Sequence, residues 1–318
     1  MSNGKIRELF TRYPHNPIIE AKDIPYQVNS VFNAAATRFG DETLLLLRVE
    51  DRRGISHLTT ARSKDGVTAW KIDNSPTLLP DPINYAEEVW GIEDPRITYI
   101  KEIEKWAVLY TAYSRGGPLV SLATTNDFKK FERQGVVMAP EDKDAALFPV
   151  RFDGRWAMIH RPVSTAANIG AHIWISFSPD MKHWGDHHIV IPARKGGWWD
   201  ANKVGLSPPP LRTDKGWLIL YHGVKNTAGG CIYRLGLALL DLEDPTKLLA
   251  RSDEWMFSPE ENYEMIGDVD KVVFPCGWVA EGDNLRIYYG GADKCIALAT
   301  GSISELLEWL EIHKLKYK

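Results

Sequence analysis

The stretch WGIEDPRITYI, residues 90–100, sets two adjacent carboxylates, Glu93 and Asp94, ahead of a proline, an arginine and an apolar run. Turn residues normally open a strand that enters a core, and Asp-Pro serves because proline fixes its own φ and presses the preceding residue into an extended conformation. The same placement would also aim a carboxylate at a substrate from the start of a strand. Other polar residues interrupt apolar runs in the same way. They are Asn33 in VFNAAA, Arg151 in FPVRFDG and Lys203 in ANKVG, then Arg48 in LLLLRVED, Arg161 in MIHRP, His222 in LILYHGV and Asp293 in YYGGAD. A charge inside such a run is costly unless it is paired or faces a wet cavity, so the set is either a binding site or a group of ion pairs joining neighbouring sheets. Its balance of charge points to a ligand class. Arg48, Arg151, Arg161, Lys203 and, when protonated, His222 are cationic, against the two carboxylates Asp94 and Asp293. A glycosidase needs two carboxylates and neutral hydroxyl recognition, whereas an excess of cations suits an anion. Phosphate matches the planar fork of arginine, and lysine adds a compact point charge.

The elements that would carry these residues repeat along the chain. TARSKDGVTAW, LATTNDFKKFE, ISFSPDMKHW and LALLDLEDPTK are each a short strand followed by a polar turn, with a degenerate fifth copy in IALATGSISEL. Their turn aspartates, Asp65, Asp127, Asp180 and Asp244, lie 62, 53 and 64 positions apart, a period too long for a solenoid and suited to a four-stranded blade. Upstream of each phrase runs an apolar strand, TLLLLRVED, KWAVLYTAYS, RWAMIHRP, GWLILYHGV or NLRIYYGGAD, and upstream of that another, VFNAAATRFGDE, EDPRITYIKEIEK, FPVRFDG, SPPPLRTDKG or FPCGWVAEGDN. Short strands rich in Val, Ile, Tyr and Trp, broken at intervals by Gly, Asp, Asn and Pro, favour an all-β repeat over alternating βα units. The expected architecture is a five-bladed β-propeller spanning residues 1–318 as a single domain, with inner strands converging on a central channel. Two β-sandwiches would not account for five similar units. Only the terminal stretches GKIRELFTRY and SISELLEWLEIHKLKYK have a helical pattern, the second with Ile303, Leu306, Leu307 and Leu310 on one face. If the strand-opening phrases start the inner strands, Asn33, Asp94, Arg151 and Lys203 occupy corresponding positions of blades one to four, and the second strands return Arg48, Arg161, His222 and Asp293 to the same end.

The bulk numbers narrow the partners. With 318 residues, 44% hydrophobic and 25% charged, the composition is that of a globular protein, and a formal charge of −4 gives no general basic field for nucleic acid or a membrane surface. The first residues, MSNGKIRELFTRYPHN, carry no apolar stretch of the signal-peptide kind, and a cytoplasmic location is expected. Cys231, Cys276 and Cys295 lack CxxC spacing, so buried free thiols and no structural zinc are expected. The histidines of HWGDHH fall in a turn that suits solvent better than a metal, and no metal or other cofactor is expected. The glycine pairs in SRGGP, RKGGWW and TAGGC lack a phosphate-loop context. Trp198, Trp199, Tyr110, Tyr113, Tyr221 and Tyr233 lie at or near strand ends, where aromatic faces could stack on a sugar or simply pack.

The segments VFNAAA, LLLLRVED, GIEDPRIT, FPVRFDGRWAMIHRP, WWDANKVG, GWLILYHGV and YYGGAD, taken in this order over nearly the whole chain, resemble the mannoside phosphorylases of glycoside hydrolase family 130, which are five-bladed β-propellers. The resemblance implies inverting phosphorolysis of a β-mannoside to α-mannose 1-phosphate, with inorganic phosphate as co-substrate. It places the general acid on Asp94, acting through the 3-hydroxyl of the bound mannose, and phosphate-binding on Arg151, Arg161, Lys203 and His222. Asn33, Arg48, Asp293 and Tyr233 would hold the mannosyl ring. Glu93, next to Asp94 on an extended chain, should point away from the site. The expected partners are a small oligosaccharide and phosphate, with a homo-oligomer left open. The length of the chain leans towards the branch acting on β-1,4-manno-oligosaccharides or mannosyl-N-acetylglucosamine. A hydrolase of the same family, a non-catalytic sugar-binding propeller, and a propeller glycosidase of the arabinanase or fructosidase type, which would need a third converging carboxylate, are the competing readings.

Overall fold

In the computed structural model, which describes residues 9–163 and 169–315, the strands form five antiparallel sheets in chain order. Blade one is Ser30–Phe39, Glu42–Glu50, Ser56–Ser63 and Lys71–Ile72. Blade two is Ile92–Ile100, Lys105–Ser114, Gly117–Thr125 and Glu132–Met138, and blade three is Asp142–Phe152, Arg155–Pro162, Ile173–Ser178 and Gly185–Ile191. Blade four pairs Trp217–Thr227 with Lys203–Leu206 and Leu211–Arg212 on one side and with Gly230–Leu240 on the other, followed by Leu248–Arg251. Blade five runs Val273–Glu281, Asn284–Gly291, Cys295–Ser302 and then takes its last strand, Thr11–Arg12, from the other end of the chain. The first strands of blades one to four pack against one another in succession, blade four meets blade five through Gly230–Leu240, and the first strand of blade five packs on that of blade one. The ring therefore closes.

The run Leu44–Leu47 shows why these strands are apolar on both faces. Leu44 and Leu46 pack into the cluster shared with blade two, beside Ile97 and Val108, while Leu45 and Leu47 pack the other way, beside Tyr288 and Leu298 of blade five. All four are fully buried. A blade between two neighbours has no solvent face, so alternation disappears from its middle strands.

The Asp-bearing turns recur as structure. Asp65, Asp127 and Asp180 each accept hydrogen bonds on Oδ1 from the backbone N–H groups two and three residues on. In blade four the same pair of bonds is made by Asp241, three residues before Asp244. The C-terminal helix spans Ile303–His313, capped by the Ser302 hydroxyl and buried through Leu306, Leu307 and Leu310. The N-terminal stretch departs from expectation. Residues 1–8 lie outside the described part, and Thr11–Arg12 is a strand paired with Thr300 and Ala299 rather than helix. Cys276 and Cys295 are buried, whereas Cys231, near the exposed hairpin of blade four, is not.

Candidate active site

Three of the inner strands carry the same local irregularity near their first residues. The pairing register slips between Phe32 and Ala35 in blade one, Glu93 and Arg96 in blade two, and Lys143 and Ala146 in blade three. At each slip one residue takes a left-handed backbone conformation: Asn33 at φ 49°, Asp94 at φ 48° and Asp144 at φ 54°. Asn and Asp tolerate this conformation better than other side chains, and a bulge re-aims a side chain that would otherwise follow the pleat. Asp94 is thus not extended as its Asp-Pro context suggests. Pro95 has no N–H to contribute, so the break in the ladder costs one hydrogen bond less there.

The bulged side chains point into a cavity of about 320 Å³ at the end of the ring where the inner strands begin. Asn33, Arg48, Asp94, Arg161, Lys203, His222, Tyr233 and Asp293 all line it, together with Lys143 and Asp144. Arg48 is the hub of one wall, its Nη1 donating to Asp94 Oδ1 at 2.9 Å and its Nη2 lying 3.1 Å from Glu93 Oε1. Glu93 therefore does not point away, because the bulge at Asp94 breaks the alternation and brings both acids to one guanidinium. Asn33 Nδ2 also donates to Asp94 Oδ1, at 2.9 Å. Burial resists ionisation of Asp94, but the charges of Arg48 and Lys143, the Asn33 amide and the charge of Arg96 hold its carboxyl below the ordinary range. Asp293 goes the other way. Burial pushes it up to about 7, with Arg48 opposing and Asp94 reinforcing the rise.

On the opposite wall Asp144 is the organiser. Its carboxylate accepts from Arg161 Nε at 2.7 Å and Arg96 Nη2 at 3.3 Å, and lies 3.4 Å from His222 Nε2. Burial opposes its ionisation, yet Arg161, His222 and Arg96 hold it well below the carboxylate range. Arg96 is itself fully buried and donates to the carbonyls of Ser207, Leu206 and Asp94, and with its bond to Asp144 these tie blades two, three and four together. Burial lowers His222, with the Asp144 carboxylate pulling the other way. The His222 ring stacks at a tilt between Phe274, 4.6 Å away, and Tyr233, 5.9 Å away. Burial pushes the Tyr233 hydroxyl up to about 12, which keeps it a hydrogen-bond donor.

Arg151 is the exception. It sits at the far end of the blade-three inner strand, roughly 25 Å of extended chain from Lys143. There it pairs with Glu102 at 3.0 Å, donates to the carbonyls of Gly154 and Pro179, and stacks over Trp156. The phosphate-binding expectation for Arg151 is thereby corrected, because the strand opens at Asp142 and FPVRFDG is only its second half. Lys143 holds the place assigned to it. The sequence carried a signal for this: Lys143-Asp144 repeats the charged pair Glu93-Asp94 just ahead of an apolar run. The aromatic candidates divide similarly, with Tyr110, Tyr221 and Trp199 packed in the core and Trp198 half exposed outside the cavity. In HWGDHH, His183 and His188 pair with Asp180 and Asp186 at the surface.

Comparison with known proteins gives the same picture from another direction. Residues 7–312 match the glycoside hydrolase family 130 description, β-1,4-mannooligosaccharide phosphorylase. A β-1,4-mannooligosaccharide phosphorylase of Ruminococcus albus is 34% identical over 96% of this chain and 92% of its own. A β-1,2-mannobiose phosphorylase of Listeria innocua is 35% identical over 95% of this chain and 98% of its own. The solved complex of Listeria innocua β-1,2-mannobiose phosphorylase with β-1,2-mannobiose superposes with a TM-score of 0.87 at 33% identity, over 95% of this chain and 99% of that one. With the match running through every blade that lines the cavity, the chain belongs to glycoside hydrolase family 130, among the phosphorylases of mannosides.

Proposed function

We propose that this enzyme transfers the terminal mannosyl group of a β-1,4-linked manno-oligosaccharide to inorganic phosphate with inversion, giving α-mannose 1-phosphate and a chain shorter by one residue. The observation that carries the proposal is the division of one cavity into an acid wall, with Asp94 on Arg48 and Asn33, and a cation wall formed by Lys143, Arg161 and Lys203 with His222. Phosphate held on the second wall attacks the anomeric carbon from the face opposite the leaving oxygen. The bond from that carbon to the aglycone oxygen breaks as the bond to phosphate oxygen forms, and Asp94 supplies the proton that the leaving oxygen takes up. Phosphate already carries negative charge, so it needs positioning and charge neutralisation rather than a general base. Its arrival also cancels part of the positive field of Lys143 and Arg96 that keeps Asp94 ionised in the empty site, which raises the proton affinity of the acid when it is needed. Asn33, Arg48, Asp293 and Tyr233 hold the mannosyl ring. The β-1,4 linkage is supported by the family description and the Ruminococcus albus relative.

The test is to incubate the enzyme with β-1,4-mannobiose, β-1,4-mannotriose, β-1,2-mannobiose, mannosyl-glucose and mannosyl-N-acetylglucosamine, each with and without phosphate. Mannose 1-phosphate formed only with phosphate, and fastest from the β-1,4-manno-oligosaccharides, is the expected result. Free mannose released equally well without phosphate would replace the phosphorylase by a hydrolase, and preference for β-1,2-mannobiose would overturn the linkage alone.

A further inference from the structure

Pro118, which lines the cavity, pairs with one of two exposed aromatic rings that the reaction itself does not use. The pairing runs directly across the blade-two hairpin to Tyr113, and directly opposed residues of an antiparallel pair project from the same face of the sheet. Trp90 lies against Tyr113 with ring centroids 5.3 Å apart and planes at 72°, and its backbone N–H donates to the Tyr113 carbonyl at 2.9 Å. Both rings stand in solvent, Trp90 at 41% and Tyr113 at 39% exposure, whereas Tyr110 on the same strand is buried. Among the described residues neither the indole N–H nor the Tyr113 hydroxyl has a hydrogen-bond partner within the chain. Two large amphipathic side chains held edge to face, one strand-pair away from a cavity-lining residue and with their polar tips free, are suited to a ligand with apolar C–H faces and hydroxyl edges. Glu141, which also lines the cavity, adds a carboxylate that accepts from hydroxyls.

We infer that Pro118, Tyr113 and Trp90 form a distal subsite on which the reducing-end residues of a manno-oligosaccharide stack after the chain leaves the cavity. The inference rests on the mannoside phosphorylase reading and gives it a direction: the substrate exits over blade two. A cavity of about 320 Å³ is near the small end of ligand pockets, so a longer chain has to emerge, and the side past Pro118 is where stacking surface awaits it. The preference that results is for chain length, separate from the grip on the mannosyl group.

Calorimetric titration without phosphate, where no phosphorolysis occurs, reads the subsite independently of catalysis. The wild type should bind β-1,4-mannotetraose more tightly than β-1,4-mannobiose, and in Trp90→Ala and Tyr113→Ala the ratio of the two affinities should shrink by roughly three- to tenfold. Trp90→Phe should keep most of the ratio, and unchanged melting temperatures exclude a folding defect. An undiminished ratio in both alanine variants, a wild-type ratio of one, or no binding of either sugar overturns the subsite. Failure of the phosphorylase reading shows elsewhere, as the absence of mannose 1-phosphate when phosphate is added to the same sugars, whatever the binding ratio.

Discussion

Asp94 and Asp293 both feel Arg48, yet they hold protons in opposite ways, Asp94 below the ordinary carboxylate range and Asp293 up to about 7. The two carboxylates repel each other, so the empty cavity carries one proton that resides on Asp293 below pH 7 and is lost above it. Protonated, Asp293 donates a hydrogen bond to the mannosyl ring that it holds, and ionised it can only accept one and adds a second negative charge beside Asp94. We predict that kcat/KM falls as pH rises through about 7, since kcat/KM reports the free enzyme. The sign follows from Asp293, whose folded-state value is raised: its protonated form dominates below 7 and disappears above it. In Asp94→Asn the fold should survive, because a residue facing a wet cavity can lose its charge without opening a void, while turnover drops by roughly 10²- to 10⁴-fold at every pH. Glu93→Gln should cost far less, since Glu93 touches Arg48 and does not line the cavity. A flat profile between pH 5 and 9 would remove the Asp293 proton from the reaction, and equal losses in the two variants would leave Asp94 no claim over Glu93 as the acid.

At the scale of elements, the recurring bulge is what turns a blade strand into a site wall, and it explains what could be read in advance. Asn33, Asp94 and Lys203 were legible because each opens an apolar run, and Arg48, Arg161, His222 and Asp293 because each interrupts or ends one. Five blades were legible from five strand-turn phrases. Blade three misled because PEDKD looks like a loop while FPVRFDG looks like a strand start, so the inner strand was entered six residues late and Arg151 took the place of Lys143. The bulges were not legible at all: a left-handed residue before proline contradicts local preference and is held in place by contacts from other blades, such as Asn33 Nδ2 and Arg48 Nη1 on Asp94. The hydrogen bonds of Arg96 were likewise hidden, because its partners lie 110 and 111 residues on. Gly205 tests whether the cation wall is as tightly built as it looks. A Cβ there would lie 2.4 Å from Asp144 Oδ2 and 2.5 Å from His222 Nε2, and Asp144 is already fixed by two arginines. Gly205→Ala should therefore displace His222 and Arg161 and raise the KM for phosphate roughly 10- to 100-fold at saturating sugar. An unchanged phosphate dependence would mean that these residues only join blades.

For the whole molecule the decisive joint is the one that closes the ring. Thr11–Arg12 adds the outermost strand to blade five, and with only two residues paired it owes its position to tertiary contacts rather than to strand propensity. Arg12 supplies them. Its Nε and Nη2 reach the two oxygens of Glu264 at 2.8 and 2.9 Å, Nη2 also donates to the Ser258 carbonyl at 2.6 Å, and the guanidinium lies 4.2 Å from the centre of the Phe257 ring. Glu264 is fully buried, and although the Tyr289 hydroxyl and the Glu260 N–H also donate to it, Arg12 is the cation beside it among the described residues. Removing one partner of a buried pair leaves the other charge uncompensated, which costs about 3 kcal/mol. Arg12→Ala should accordingly lower the melting temperature by several degrees. Arg12→Lys should recover only part of the loss, because an ammonium cannot span both carboxylate oxygens in the planar geometry of the fork. The cavity is built by the inner strands at the other side of the sheet, so the KM for phosphate measured well below the transition should move little in either variant. Thermal melting alongside phosphate titration separates the two effects. A variant that melts normally would show that the seam is held by the C-terminal helix packed on blades four and five, and one that loses phosphate affinity first would show that closure of the ring sets the geometry of the site itself.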